Sequence, residues 1–235
     1  MPGMRAVVIA MLWSASLPIV RSAGLSAFAE ATADRRSLGG GWSAERAGSP
    51  ERLALQRFRV RLDTSKGAVV IEVHRDWAPN GADRFHELVT SRYFDDSRFF
   101  RVVKGQWAQF GINGDPSVST RWRRRTIPDD PPKQSNVRGT VTFAFAVPNG
   151  RTTQVYVALK DLSDPQNAQG FVPFGEVVQG MDVADALNSD YGESSGGGIR
   201  AGRQQPLFDG GNAYLDREFP RLDRLLRAVV LPAGR

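Results

Sequence analysis

The sequence predicts a mainly β protein, an antiparallel barrel or sandwich with few helices. Three observations predict it. Phe58, Val60 and Leu62 alternate with Arg57, Arg59, Arg61 and Asp63, the period of two that marks a half-buried strand. Short apolar runs recur along the rest of the chain, separated by clusters of Pro, Gly, Asn and Asp. Only two stretches read as helices. At 235 residues and 41% hydrophobic content the chain can bury one substantial core, and no internal repeat divides it.

Residues 1–29 read as an export signal, with Arg5 in a short basic region, an apolar run over 6–20, and Ala27-Phe28-Ala29 as the small-x-small cleavage pattern. The run is short for a span of about 20 residues, and a retained N-terminal anchor is the rival reading. Cleavage after Ala29 removes Arg5 and Arg21 and no acidic residue, lowering the formal charge from +6 to +4. That is an ordinary surface, so no nucleic-acid partner is expected, and no stable membrane insertion after cleavage. A periplasmic or secreted protein follows. Residues 30–54, rich in Ala, Gly, Ser and Arg without apolar period, read as a disordered linker, and the folded domain spans 55–235.

Within the domain, a turn at Thr64-Ser65-Lys66-Gly67 joins the first strand to a second over 68–73. Pro79 suits the first position of a helix, with Asp83 near its positive end and Ala82, Phe85, Leu88 and Val89 at helical spacing; it should lie across a barrel mouth. Strands are predicted at 98–103, 107–112, 139–145, 154–159 and 171–178, and a second helix at 181–188. The closing segment 224–231 reads as a strand in preference to an amphipathic helix.

Composition narrows the chemistry. The chain has no cysteine and two histidines, His74 and His86, which excludes thiolate metal sites and leaves little for a Ser-His-Asp triad. Both histidines read as surface or boundary residues, and no metal site is expected. Gly192-Glu193-Ser194-Ser195-Gly196 fits the text of a nucleophile elbow, but no apolar strand precedes it and no histidine follows. Arg121-Trp122-Arg123-Arg124-Arg125 reads as a solvated Pro-rich loop, and Asp129-Asp130-Pro131-Pro132 as a turn.

Phe99-Phe100-Arg101-Val102-Val103-Lys104-Gly105-Gln106-Trp107-Ala108-Gln109 resembles the signature of the cyclophilin family, with Arg, Gly and Gln in ungapped spacing. Thr153-Gln154-Val155-Tyr156, the passage Phe174-Gly175-Glu176-Val177-Val178-Gln179-Gly180-Met181-Asp182-Val183, and the trio Pro79, Ala82 and Phe85 resemble three further family motifs, in order. The resemblance implies a closed eight-stranded antiparallel barrel with two capping helices. It also implies a monomeric peptidyl-prolyl cis-trans isomerase that assists protein folding by acting on proline-containing polypeptides without cofactor or metal. Arg101 and Gln109 are then the catalytic pair, and Phe100, Gln106, Trp107, Ala144, Phe145, Gln154, Tyr156 and Phe171 contact substrate. Gln106 departs from the family's Phe, Phe100 and Phe171 from His, and Phe145 from Asn, while no tryptophan stands near Gln166–Gln169. The alternative reading is a module that binds proline segments but hardly accelerates rotation.

The residue types suit that reaction. Partial double-bond character holds the peptide planar behind a barrier of about 18–20 kcal/mol, and Xaa-Pro bonds isomerise unaided over tens to hundreds of seconds. Twisting localises a lone pair on the proline nitrogen. A fixed guanidinium gains a hydrogen bond to it that the planar ground state does not offer, so the transition state is bound in preference.

Overall fold

Alternation of buried and exposed residues organises the molecule around one sheet. The structure, a computed structural model, describes residues 56–197 and 203–232. The expected signal (1–29) and linker (30–54) lie outside the described residues. Strands β1 (Arg57–Thr64) and β2 (Gly67–His74) form the expected hairpin, with Val60, Leu62, Val69, Ile71 and Val73 turned into the core.

Helix α1 (Pro79–Thr90) starts on its proline and buries Ala82, Phe85, Leu88 and Val89 against β2, β8 (Pro173–Gln179) and β9 (Arg224–Val230). The acid at its positive end is not Asp83, which pairs with Arg75. Asp130 fills that role from a distant loop, accepting from the backbone N–H of Asn80 at 3.0 Å and of Gly81 at 2.8 Å.

The single strand expected over 98–103 is two, β3 (Ser97–Arg98) and β4 (Arg101–Val103). Phe99 and Phe100 between them face different clusters: Phe99 enters the main core, and Phe100 packs with Ile112, Leu207, Phe208, Leu215 and Leu222. The chain therefore leaves one sheet edge at β3 and rejoins the other at β4. With β5 (Trp107–Phe110), β6 (Thr140–Phe143) and β7 (Val155–Ala158), the sheet runs β3-β9-β1-β2-β8-β6-β7-β5-β4, antiparallel throughout. This is a curled antiparallel sheet of nine strands, not eight, and no ladder joins β3 to β4 among the described residues. The segment 224–231 is a strand, slotted between β1 and β3.

Five α-helices and one short 3-10 turn (Ser194–Gly196), rather than two helices, accompany the sheet among the described residues. The basic stretch expected to be a loop begins in helix α2 (Pro116–Trp122), capped by Asp115, whose carboxylate accepts from Ser117 N–H at 2.7 Å. Two of its arginines are committed locally: Arg125 pairs with Glu87 and stacks on Trp122, and Arg123 stacks on Phe208. Helices α3 (Ser163–Ala168) and α4 (Met181–Asp185) are short. Helix α5 (Gln205–Glu218) is broken at Gly211, where φ is 52° and a side chain would collide with the carbonyl of Gly114. It covers Phe100 and is fixed by Asp216, which accepts from Arg98 Nε and Nη2 at 2.8 and 2.9 Å. His74, expected at the surface or boundary, is buried, 4% exposed. No helix of the described residues is long and apolar enough to cross a membrane.

Candidate active site

The sheet register sets the site. Arg101 on β4 stands opposite Gln109 on β5, Gln109 opposite Tyr156 on β7, and Tyr156 opposite Thr142 on β6, a row across four strands. Side chains directly opposite share a face. Arg101 Nη1 donates to Gln109 Oε1 at 2.9 Å, Gln109 Nε2 to Gln154 Oε1 at 2.8 Å, and Gln154 Nε2 to Gln204 Oε1 at 2.9 Å.

Glu193 completes the chain of contacts. Its carboxylate takes Arg101 Nε at 2.7 Å and Nη2 at 2.9 Å, a bidentate pair that fixes the guanidinium plane. Gly196 presses on the stem of Arg101: a methyl group there would lie 2.7 Å from Cβ, Cγ and Cδ. A guanidinium carries five N–H donors, and three are engaged, leaving one on each Nη.

Beside the guanidinium lies an apolar cluster. Arg101 sits over the Trp107 ring, 4.9 Å from its centroid, and Trp107, Ala144 and Phe171 pack on buried Tyr156, Ala158 and Leu162. Phe171 meets Tyr156 edge-on at 5.9 Å and Phe145 at 4.6 Å. Asn136 braces this wall, accepting from the Tyr156 hydroxyl at 2.9 Å and from the Thr142 hydroxyl at 3.0 Å while donating to the Phe171 carbonyl at 2.7 Å. Burial pushes the Tyr156 phenol far above its ordinary range, so it stays a neutral donor.

The structure thus brings together Arg101, Gln109 and Gln154 as a polar row, and Trp107, Ala144, Phe145, Tyr156 and Phe171 as the adjoining wall. Gln106 occupies the β4–β5 turn, half-buried, its N–H bonded to Val103 and its carbonyl to Leu159. Phe100 is placed elsewhere, fully buried beneath α5. Glu193, Gln204 and Asn136 were not legible as site residues. Arg101 and Glu193 are separated by 92 positions, and no periodicity links them. Glu193 falls in the hydrolase-like text, whose Ser195 hydroxyl is buried with no partner among the described residues.

Residues 59–205 match the model of the family described as cyclophilin type peptidyl-prolyl cis-trans isomerase/CLD. The chain belongs to the cyclophilin family. Among cyclophilins, peptidyl-prolyl cis-trans isomerase A of Dickeya dadantii is 29% identical over 158 residues, covering 63% of this chain and 80% of that protein. Peptidyl-prolyl cis-trans isomerase-like 1 of Rhizopus delemar is 32% identical over 139 residues, covering 56% and 81%. A crystal structure of a cyclophilin type peptidyl-prolyl cis-trans isomerase from Cryptosporidium parvum shares the fold with a TM-score of 0.54 at 18% identity, covering 76% of this chain and 99% of that one. That protein was also crystallised in the presence of the dipeptide Ala-Pro, and this form matches with a TM-score of 0.53 at 19% identity.

Proposed function

We propose that this cyclophilin isomerises exposed Xaa-Pro bonds of folding polypeptides outside the cytoplasm, as a monomer, with Arg101 as the donor to the twisted proline nitrogen. One observation carries the assignment: a guanidinium fixed by Glu193 and Gln109, with free N–H groups, beside an apolar wall. The wall of Trp107, Ala144, Tyr156 and Phe171 takes the proline ring. Gln109 orients Arg101, and Gln154 extends the polar row toward the flanking peptide. Rotation transfers no electron or group, so the chemistry requires no cofactor. The Ala-Pro dipeptide named with the Cryptosporidium parvum relative supports a proline-containing ligand.

The test is magnetisation-exchange NMR on short Xaa-Pro peptides with wild type and Arg101→Ala. Losing one preorganised donor costs about 2.7–4 kcal/mol, so turnover falls roughly a hundred- to thousand-fold while peptide affinity changes little. Lysine rescues poorly, because an ammonium lacks the planar fork. Equal rates in folded wild type and Arg101→Ala would sink the mechanism. Peptide binding without acceleration in wild type would leave a binding module instead.

A further inference from the structure

The face of β2 and β8 opposite the core carries a cluster that the isomerase site does not use. Glu72 stands opposite Glu176 in the β2–β8 register, and His74, two residues along β2, shares their face. His74 is 4% exposed, stacks on Trp77 with centroids 4.0 Å apart, and among the described residues has no hydrogen-bond partner at either ring nitrogen. Its Nε2 lies 3.5 Å from Glu72 Oε1 and 3.4 Å from Glu176 Oε1. Arg59 Nε holds the other oxygen of Glu72 at 2.9 Å, and Arg57 Nη1 stands 3.9 Å from Oε1.

We propose that His74 Nε2 and one carboxylate oxygen each from Glu72 and Glu176 form a zinc site, with a fourth position open to water. Zinc binds imidazole nitrogen at about 2.0–2.1 Å and carboxylate oxygen at about 2.0–2.2 Å in a tetrahedron, whose ligand-to-ligand edges are then about 3.4 Å. Both His–Glu separations have that length, longer than the 2.7–3.2 Å or so of an N–H···O hydrogen bond. Two carboxylates directly opposite each other repel, and a divalent cation between them removes the repulsion. Ligation also supplies the partner that the buried Nε2 lacks. Arg59 sets the orientation of Glu72, as outer-shell hydrogen bonds do at metal sites. The nitrogen donor favours zinc over calcium or magnesium, which take oxygen ligands. Glu176, with its side chain 45% exposed, opens the site to solvent.

The test uses the full chain without an affinity tag, titrated with zinc chloride and followed by calorimetry and by nitrogen–proton spectra of the imidazoles. With no cysteine and two histidines, background binding is low, and His86→Gln assigns the two ring signals. Expected are one zinc per chain, a shift of His74 Nε2, and affinity unchanged in His86→Gln. Affinity falls about tenfold or more in Glu176→Gln and further in His74→Gln. Glu176→Gln alters a part-exposed side chain, so it decides the matter even if His74→Gln does not fold. Absence of stoichiometric uptake at roughly millimolar zinc, or uptake indifferent to Glu176→Gln, overturns the proposal. So does a doubly protonated His74 at neutral pH whose signals ignore zinc, which would make the cluster a plain ion pair.

Discussion

Arg101 owes its fixed plane to Glu193, and that pairing separates positioning from chemistry at the level of single side chains. Glu193→Ala frees the guanidinium to sample orientations, and the misplacement is expected to lower kcat about tenfold or more with KM nearly unchanged. Glu193→Gln, which keeps one acceptor, should recover part of the loss; a purely structural role would lower the melting temperature and leave the kcat of the folded fraction intact. Gln106 is the other informative residue. It borders the apolar wall through Trp107, and Gln106→Phe should raise kcat/KM several-fold by adding apolar contact worth about 1 kcal/mol. Flat or lower efficiency in an equally stable variant would show that Trp107 already fills the slot. Arg101, Gln109 and Gln154 were legible in the sequence through the resemblance to the family's motifs, and the register makes Arg101 and Gln109 opposite partners across one tight turn. Glu193 and Gln204 reach the same row from a separate segment, and only tertiary packing reveals them.

Strands with alternating burial were read nearly to the residue, as in β1 and β2. The segment 98–103 was not, because the continuous apolar run Phe99-Phe100 hides a change of sheet edge. Helix α5 was missed for a local reason: Gly210 and Gly211 interrupt a helical pattern carried by Leu207, Phe208 and Leu215. Its anchor is electrostatic as well as apolar. The Arg98 side chain is 2% exposed, and its Nε and Nη2 end on Asp216. Asp216→Asn, which leaves a buried cation short of an anion, should destabilise by about 1–3 kcal/mol in urea unfolding. The hydrogen bond to Arg98 holds the Asp216 carboxyl below the usual aspartate range. The stabilisation it provides is therefore complete above an ordinary aspartate pKa of about 3.9 and disappears as pH falls through the lower folded value. The gap between wild type and Asp216→Asn should close over that acid window; a constant gap would assign the anchoring to packing alone.

At the scale of the whole molecule, the expected mainly β architecture came from alternation and turn chemistry. The expected eight strands became nine because Ser97–Arg98 pairs with β9 while Arg101–Val103 pairs with β5. Export would leave a defined mature terminus. Material secreted by a bacterial host should begin at or near Glu30, by intact mass, since Ala27 and Ala29 are the small pair after the apolar run. A membrane-bound species that keeps residues 1–29 would identify a retained anchor. The pairing of β1 with β9 carries a kinetic consequence. Val60 faces Val230, and Leu231 N–H donates to the Arg59 carbonyl at 2.8 Å, so the first and last strands of the domain are neighbours. In the native order that ladder closes only when nearly the whole domain has been brought together, which costs chain entropy before any contact repays it. Joining residue 231 to residue 57 through a few linker residues, and opening the exposed run 131–135, makes the same ladder a hairpin. A circular permutant of that design makes the β1–β9 ladder local and shortens β2–β8 and β3–β9, while it lengthens β5–β7 across the new termini; the shortened ladders are the larger set, so faster folding is expected.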